Sequence, residues 1–309
     1  MSRIGFIGLG SMGAGMTRQL LAAGFDVVAY DVEPGAVEQA KRDGACGAAT
    51  PSEAAHGAEL LSVCVFNAAQ ARDALFGENG AVSNLSEGAS VLMHTTLAPN
   101  EAVELEARLA LTGHLLLDAP VTGGKVGADA GALTIIASGC DAAFDAAGPA
   151  FAAMGKRTYR IGSTVGAAST VKMVNQLLVG VHTVAAAEAI TLAVKAGADP
   201  KQVYEVITHG GGNSVSFKTR VPFILEEDYS PRGAVEIFTK DLGIVAEAAN
   251  ALGVEIPLTQ AALAQYDAAV AAGHARLDDA AVVKVYEARS GVNIAAAARA
   301  SSHDEGAQD

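Results

Sequence analysis

Near the N-terminus, short apolar runs alternate with longer stretches of helical spacing. The run "RIGFI" over residues 3–7 has strand character and closes on a glycine-rich turn, "GLGSMG". Apolar positions then recur at helical spacing from Ser11 to Ala23, Gly24 stops that helix, and "FDVVAY" forms a second strand ending at Asp31. Pro34 opens the next helix. Further strands are predicted at 60–66, 89–94, 114–118, 132–137 and 157–161, with helical stretches between most of them. Strands joined through helices return to the same sheet edge, so this half is expected to be a parallel-rich sheet covered by helices.

The pattern changes near Gly162–Gly166. From Ala168 to about Lys195 no alternation remains, and helical spacing continues at 201–209, 232–251, 257–272 and 279–288. The expected fold is an α/β N-terminal Rossmann-type domain followed by an all-α C-terminal domain. The boundaries expected are 1–163 for the first, 164–296 for a helical substrate and oligomerisation domain, and 297–309 for a flexible tail without apolar anchors. The greasiest segment, 173–198, contains Asn175, His182, Glu188 and Lys195, and it is expected to be a buried helix of a soluble protein.

Composition narrows the function classes. Of 309 residues, 50% are hydrophobic and 18% charged, which excludes wholesale disorder. Lys and Arg number 21 against 34 Asp and Glu, a net charge of -13, so nucleic acid is not an expected partner, and no stretch reaches about 18 uninterrupted apolar residues, so neither is a membrane. Cys46, Cys64 and Cys140 form no CxxC pair, and the histidines form no HxH or HExxH motif. No metal is expected, and the start lacks a secretory pattern, so the expected location is cytoplasmic.

Gly8, Gly10 and Gly13 spell G-x-G-x-x-G between a strand and a helix, with Leu9, Ser11 and Met12 between them. In that context the first glycine makes a tight turn, the second lets a pyrophosphate approach, and the third packs helix on strand. The helix amides then face the phosphates. Asp31, 18 residues after Gly13, stands where a carboxylate accepts from ribose hydroxyls. It would repel a 2′-phosphate, and Val32, Glu33 and Pro34 offer no arginine to compensate, so NAD is expected rather than NADP. The alternative for Asp31 is a surface cap on the next helix.

Four other clusters carry polar chemistry. In "DAPVTGGKVGADAG", Thr122, Gly123 and Gly124 make a small polar turn able to receive a carboxylate, or an ordinary turn. In "AASTVKMVNQLL", Lys172 and Asn175 share a helix face, and Gln176 is compatible with it. Lys172 either transfers a proton, with its pKa lowered beside a cationic ring, or snorkels to water. Asn175 either orients a substrate or satisfies a helix interface. The loop "HGGGNSVS" offers Asn213 and Ser214 to the hydroxyls of a polyol, or serves as a hinge or cap. Lys240 with Asp241 lies beside a cleft or forms a surface pair.

Together these stretches resemble the 3-hydroxyisobutyrate dehydrogenase-related family of β-hydroxyacid dehydrogenases over approximately residues 2–295. The matching motifs are "GFIGLGSMGAGM", "DAPVTGG" (with Thr122 where serine is usual), "GAASTVKMVNQ" and "FTKDLGI". The resemblance implies that Lys172 is the catalytic lysine, Asn175 its polar helper, and Lys240 and Thr96 cofactor contacts. His94 departs from the family, where a smaller or acidic residue is commoner. The activity implied is NAD-dependent oxidation of a small anionic polyhydroxy acid at its C2 hydroxyl, in a homodimer or homotetramer. Alternatives are a 3-hydroxyisobutyrate or tartronate semialdehyde substrate, or a noncatalytic NAD-responsive module.

Overall fold

The computed structural model describes residues 2–305. It divides into two compact units, one up to Met173 and one from Val174 onward. The expected boundary at 163 coincides with the end of the last strand. The division falls later because the first turns of the following helix bond into the first unit.

In the first unit the described residues form one nine-stranded sheet. Its strands are β1 (Arg3–Ile7), β2 (Asp26–Tyr30), β3 (Cys46–Gly47), β4 (Leu60–Val63), β5 (Ser90–Met93), β6 (Leu115–Asp118), β7 (Val121–Thr122), β8 (Leu133–Ser138) and β9 (Gly155–Gly162). The order is β3-β2-β1-β4-β5-β6-β8-β7, with β9 also paired to β8. β1 to β6 run parallel, with Ile4 lying opposite both Val27 and Leu60. β8 turns antiparallel to β6 and β7, and β9 runs parallel to β8. The two-residue β3 and β7 are too short for any periodicity to reveal them.

Crossover helices cover both faces. Pro34–Arg42, Pro51–Ala55 and Pro99–Ala110 each begin on a proline, whose fixed φ suits a first helical position. Burial on both faces explains why β4 and β5 have no exposed residue. The side chains of β1, β4 and β5 divide between two cores. Ile4, Phe6, Leu60 and Leu92 join one, while Ile7, Leu61, Val63, Val91 and Met93 join the other.

The second unit is built of helices, with one isolated antiparallel bridge, Ala234 to Asp278, among its described residues. Its helices are the remainder of Ala167–Lys195, then Pro200–Thr208, Val215–Glu226, Val235–Leu252, Pro257–Ala271, Val283–Ser290 and Ile294–Glu305. Tyr266 stacks on Phe238 at 5.1 Å, centroid to centroid, beside Ile190, Val221 and Leu242. Arg220 closes a bidentate pair on buried Asp279 at 3.0 and 2.9 Å. The helix Val215–Glu226 lies outside the expected helical stretches and carries Pro222 in its interior.

Two expectations are corrected. Residues 297–305 are helical, not a flexible tail: Asn293 caps the helix through Ala296 N at 2.7 Å, and Ile294, Ala295 and Ala298 are buried anchors. Residues 306–309 lie outside the described residues. The helix Ala167–Lys195 is long and apolar enough, by length and composition, to cross a bilayer, with a window of mean hydropathy 1.8. The burial expected of it holds on one side only. Val184, Ala186, Ala187 and Ile190 enter a core, whereas Val174, Leu178, Ala185, Ala189 and Leu192 are exposed. At 100° per residue the exposed five fall on one narrow stripe.

Candidate active site

The turn after β1 shows why each glycine is there. Gly8 has φ +97°, and a Cβ on it would stand 2.4 Å from the Cys64 carbonyl oxygen. A Cβ on Gly13 would stand 1.9 Å from Gly8 O, so helix and turn touch backbone to backbone. Gly10 is different: a Cβ there would meet nothing within 4 Å. Its surface is open, and Gly10 and Ser11 are exposed while Leu9 is buried and Met12 half-buried. Asp31 closes the turn from β2. Its carboxylate accepts from Leu9 N at 2.6 Å and from Glu33 N at 2.8 Å. Asp31 therefore braces the loop, and its bond to Glu33 N is a turn ahead of the helix Pro34–Arg42, which has no side-chain cap.

The residues following the parallel strands share one sheet edge, the carboxyl edge where open α/β sheets bind ligands. After β5 come His94, Thr95 and Thr96. His94 is 3% exposed, and its Nδ1 lies 2.8 Å from Ala119 O. A carbonyl oxygen only accepts, so Nδ1 carries the proton. Nε2 is buried without a partner, the ring meets Phe151 edge-on, and burial pushes the imidazole down to about 4. His94 is thus a neutral packing residue that ties β5 to the segment after β6. Thr95 accepts from Val65 N at 3.1 Å, and Thr96 is half-buried.

After β6, the short β7 brings Thr122 opposite Thr134 and exposes Gly123 and Gly124. Both glycines have left-handed φ, +131° and +63°, which aims the turn away from the sheet. The short helix Gly124–Asp129 packs on the dinucleotide helix Gly13–Ala22. Arg18 donates to Asp129 at 2.5 Å and Gln19 donates to Asp129 O at 2.6 Å. Gly15 permits this packing, since a Cβ there would be 2.8 Å from the backbone of Ala128.

Lys172 is 7% exposed on the helix Ala167–Lys195, one turn before Asn175. In the second unit Asn175 donates to Gln176 at 3.0 Å, Gln176 donates to Asp241 at 2.5 Å, and Lys240 pairs with Asp241 at 2.6 Å. Asp241 is 2% exposed, so Lys240–Asp241 is not a surface pair. Asn213 donates to Thr208 O at 2.8 Å, and Ser214 caps the next helix by accepting from Phe217 N at 3.0 Å. These contacts are the capping alternative for the loop, with both polar side chains serving adjacent helix ends.

Family models match both halves. Residues 3–162 match the NAD binding domain of 6-phosphogluconate dehydrogenase, and residues 166–286 match the NAD-binding segment of NADP-dependent 3-hydroxyisobutyrate dehydrogenase. The chain belongs to the β-hydroxyacid dehydrogenase family. L-threonate dehydrogenase of Cupriavidus necator is 44% identical over 93% of this chain and 97% of its own length. The enzyme of that name from Escherichia coli K12 is 41% identical over 94% and 96%. The crystal structure of 3-hydroxyisobutyrate dehydrogenase from Salmonella typhimurium superposes with a TM-score of 0.87. It is 43% identical over 92% of this chain and 100% of that one.

This hydroxyacid dehydrogenase binds a nicotinamide dinucleotide, and its residues fit one. The open face at Gly10 gives a phosphate backbone contact distance, and the exposed turn at Gly10 and Ser11 leads into a helix N-terminus. Two features have no local sequence signature. In the first unit Asp118 is fully buried, and in the second unit Asp241 links Gln176 to Lys240. The charged end of the otherwise apolar "LLLD" marks Asp118 without reporting its burial.

Proposed function

We propose that this enzyme oxidises the C2 hydroxyl of L-threonate to the 2-oxo acid, with NAD as the acceptor. The observation that carries the substrate is the 44% identity spanning 97% of an L-threonate dehydrogenase. When bound, the oxidised nicotinamide supplies the hydride acceptor. In the proposed step the C2–H bond breaks with its electron pair and C2–O becomes a carbonyl. Neutral Lys172 takes the hydroxyl proton on Nζ. Thr122 and the amides of Gly123 and Gly124 receive the substrate carboxylate, and Asn175 orients the C2 hydroxyl. Asn213 and Ser214 face the polyol end with the polar atoms that capping leaves over. Gly8, Leu9, Gly10, Ser11, Met12 and Gly13 cradle the dinucleotide, and Thr96 and Lys240 hold its nicotinamide half.

Asp31 supports NAD over NADP, since a 2′-phosphate beside its carboxylate meets like charge. The exposed stripe from Val174 to Leu192 supports a homodimer or homotetramer that covers it. The location proposed is cytoplasmic. A second reading, oxidation of 3-hydroxyisobutyrate, is favoured by the similarity to the Salmonella typhimurium structure. Kinetics with both cofactors and a panel of L-threonate, D-threonate, both erythronates, glycerate and 3-hydroxyisobutyrate separate the two. L-threonate with NAD should give the highest kcat/KM. A higher value for 3-hydroxyisobutyrate would transfer the assignment to the second reading.

A further inference from the structure

The helix that carries Lys172 begins without a cap of its own. A helix start leaves its first amides unpaired, and a Ser, Thr, Asp or Asn side chain at the cap ordinarily accepts from them. The residue there is Gly166, with φ +94° and no side chain to offer. A Cβ at that position would stand 3.0 Å from Pro99 O. The first intrahelical bond, Thr170 N to Gly166 O at 2.9 Å, leaves the earlier amides to find acceptors elsewhere.

Ala167 N reaches Thr164 O at 3.4 Å, and the other acceptors come from the sheet. Asp118 Oδ2, at the end of β6, accepts from Gly166 N at 3.0 Å and from Ser169 N at 2.9 Å. Asp118 Oδ1 accepts from the Ser169 hydroxyl at 2.8 Å. Ser138, on β8, accepts from Ala168 N at 3.0 Å and donates to Asp118 Oδ2 at 3.5 Å. Asp118 is fully buried, and that burial raises its pKa against the pull of these donors. Retaining a carboxylate in such a place is costly unless its hydrogen bonds are charge-assisted.

We infer that Asp118 is a positioning residue for Lys172, a cap supplied from β6 that fixes the depth and rotation of the helix one turn before the lysine. Contacts to two amides and one hydroxyl hold the helix start at several points, so it can neither slide nor turn about its axis. The same strand end runs through Ala119 and Pro120 into the Thr122–Gly124 turn. One buried carboxylate thereby sets the lysine in register with the turn proposed to hold the substrate anion. This rests on the reading of Lys172 as the proton acceptor.

The test uses Asp118→Asn, which keeps the shape but removes the charge and one acceptor oxygen. Hydrogen exchange of the amides at 166–172 in the cofactor-free enzyme should accelerate at least about threefold, because the bonds lose charge assistance. The folded variant should lose kcat by about five- to tenfold, while NADH affinity and KM stay within about twofold. Ser169→Ala, a milder change that spares the buried carboxylate, should show the same pattern at about two- to threefold and carries the test if Asp118→Asn does not fold. In a Lys172→Ala background, Asp118→Asn should change single-turnover NADH formation by less than about twofold, since its effect passes through the lysine.

Unchanged exchange with unchanged kcat, in whichever of the two variants folds, overturns the inference. So does a kcat loss that persists undiminished without Lys172. Full activity of Lys172→Ala alone would instead overturn the base assignment, and is recognisable without any Asp118 variant.

Discussion

His94 makes the stability of the first unit depend on pH in a direction the structure dictates. Its imidazole is held neutral by burial, at about 4 against an ordinary 6.5. Between those values the unfolded chain binds a proton that the folded chain refuses. Stability is therefore full above about pH 6.5 and falls as pH drops toward about 4, below which the loss is complete. A difference of about 2.5 units at 1.36 kcal/mol each amounts to ~3 kcal/mol.

His94→Asn isolates this effect. The amide nitrogen takes the place of Nδ1 toward Ala119 O, and nothing remains to titrate. Urea unfolding of both proteins, at one concentration and from about pH 7.5 to about pH 4.5, gives the stability difference at each pH. Carboxylates common to both chains cancel in that difference. The advantage of the native histidine should shrink by ~2.5 kcal/mol across the range, the remainder being lost below it. A difference that stays level with pH would refute the argument that burial keeps the ring neutral.

Other outcomes follow from the site. Asp31→Ala removes the acceptor for Leu9 N and the charge that repels a 2′-phosphate, so kcat/KM with NAD should fall by about tenfold or more and the NAD:NADP ratio should narrow. A wild-type preference for NADP would contradict this. Gly15→Ala pushes a Cβ to 2.8 Å from Ala128 and should cost ~1–3 kcal/mol in urea unfolding, while unchanged stability would mean the two helices part freely. Lys172→Ala should lower kcat by roughly 10²–10⁴ with NADH affinity largely kept, as measured by pre-steady-state NADH formation and fluorescence titration. Lys172→Arg should also be poor because arginine holds its proton, and Asn175→Ala should lose less.

Features set by neighbours in the chain were legible. Gly8, Gly10 and Gly13 announce a turn because the demands of positive φ and close approach are met within a few residues. The spacing of Lys172 and Asn175 places them one helical turn apart before any tertiary contact is known. What escaped reading depends on partners far along the chain. Asp118 finds Gly166 and Ser169 48 and 51 residues away, and Gln176 finds Asp241 across 65. Adjacent Lys240 and Asp241 resemble a solvated pair because nothing local reports the burial of the carboxylate. In the loop at 209–216 local pattern leaves a cap and a polyol contact equally open, because Asn213 and Ser214 each serve a helix end with one polar group and keep another for a ligand. The C-terminal helix was missed because alanine is a weak hydrophobic signal, yet Ala295 and Ala298 suffice as anchors.

The most direct test of the proposed reaction is carbon-resolved NMR of the product formed from L-threonate and NAD by the wild-type enzyme. Stoichiometric NADH with a new carbonyl at C2 and an intact C3 alcohol is the result expected. A carbonyl at C3, or no NADH from L-threonate under conditions where 3-hydroxyisobutyrate is oxidised, would contradict it.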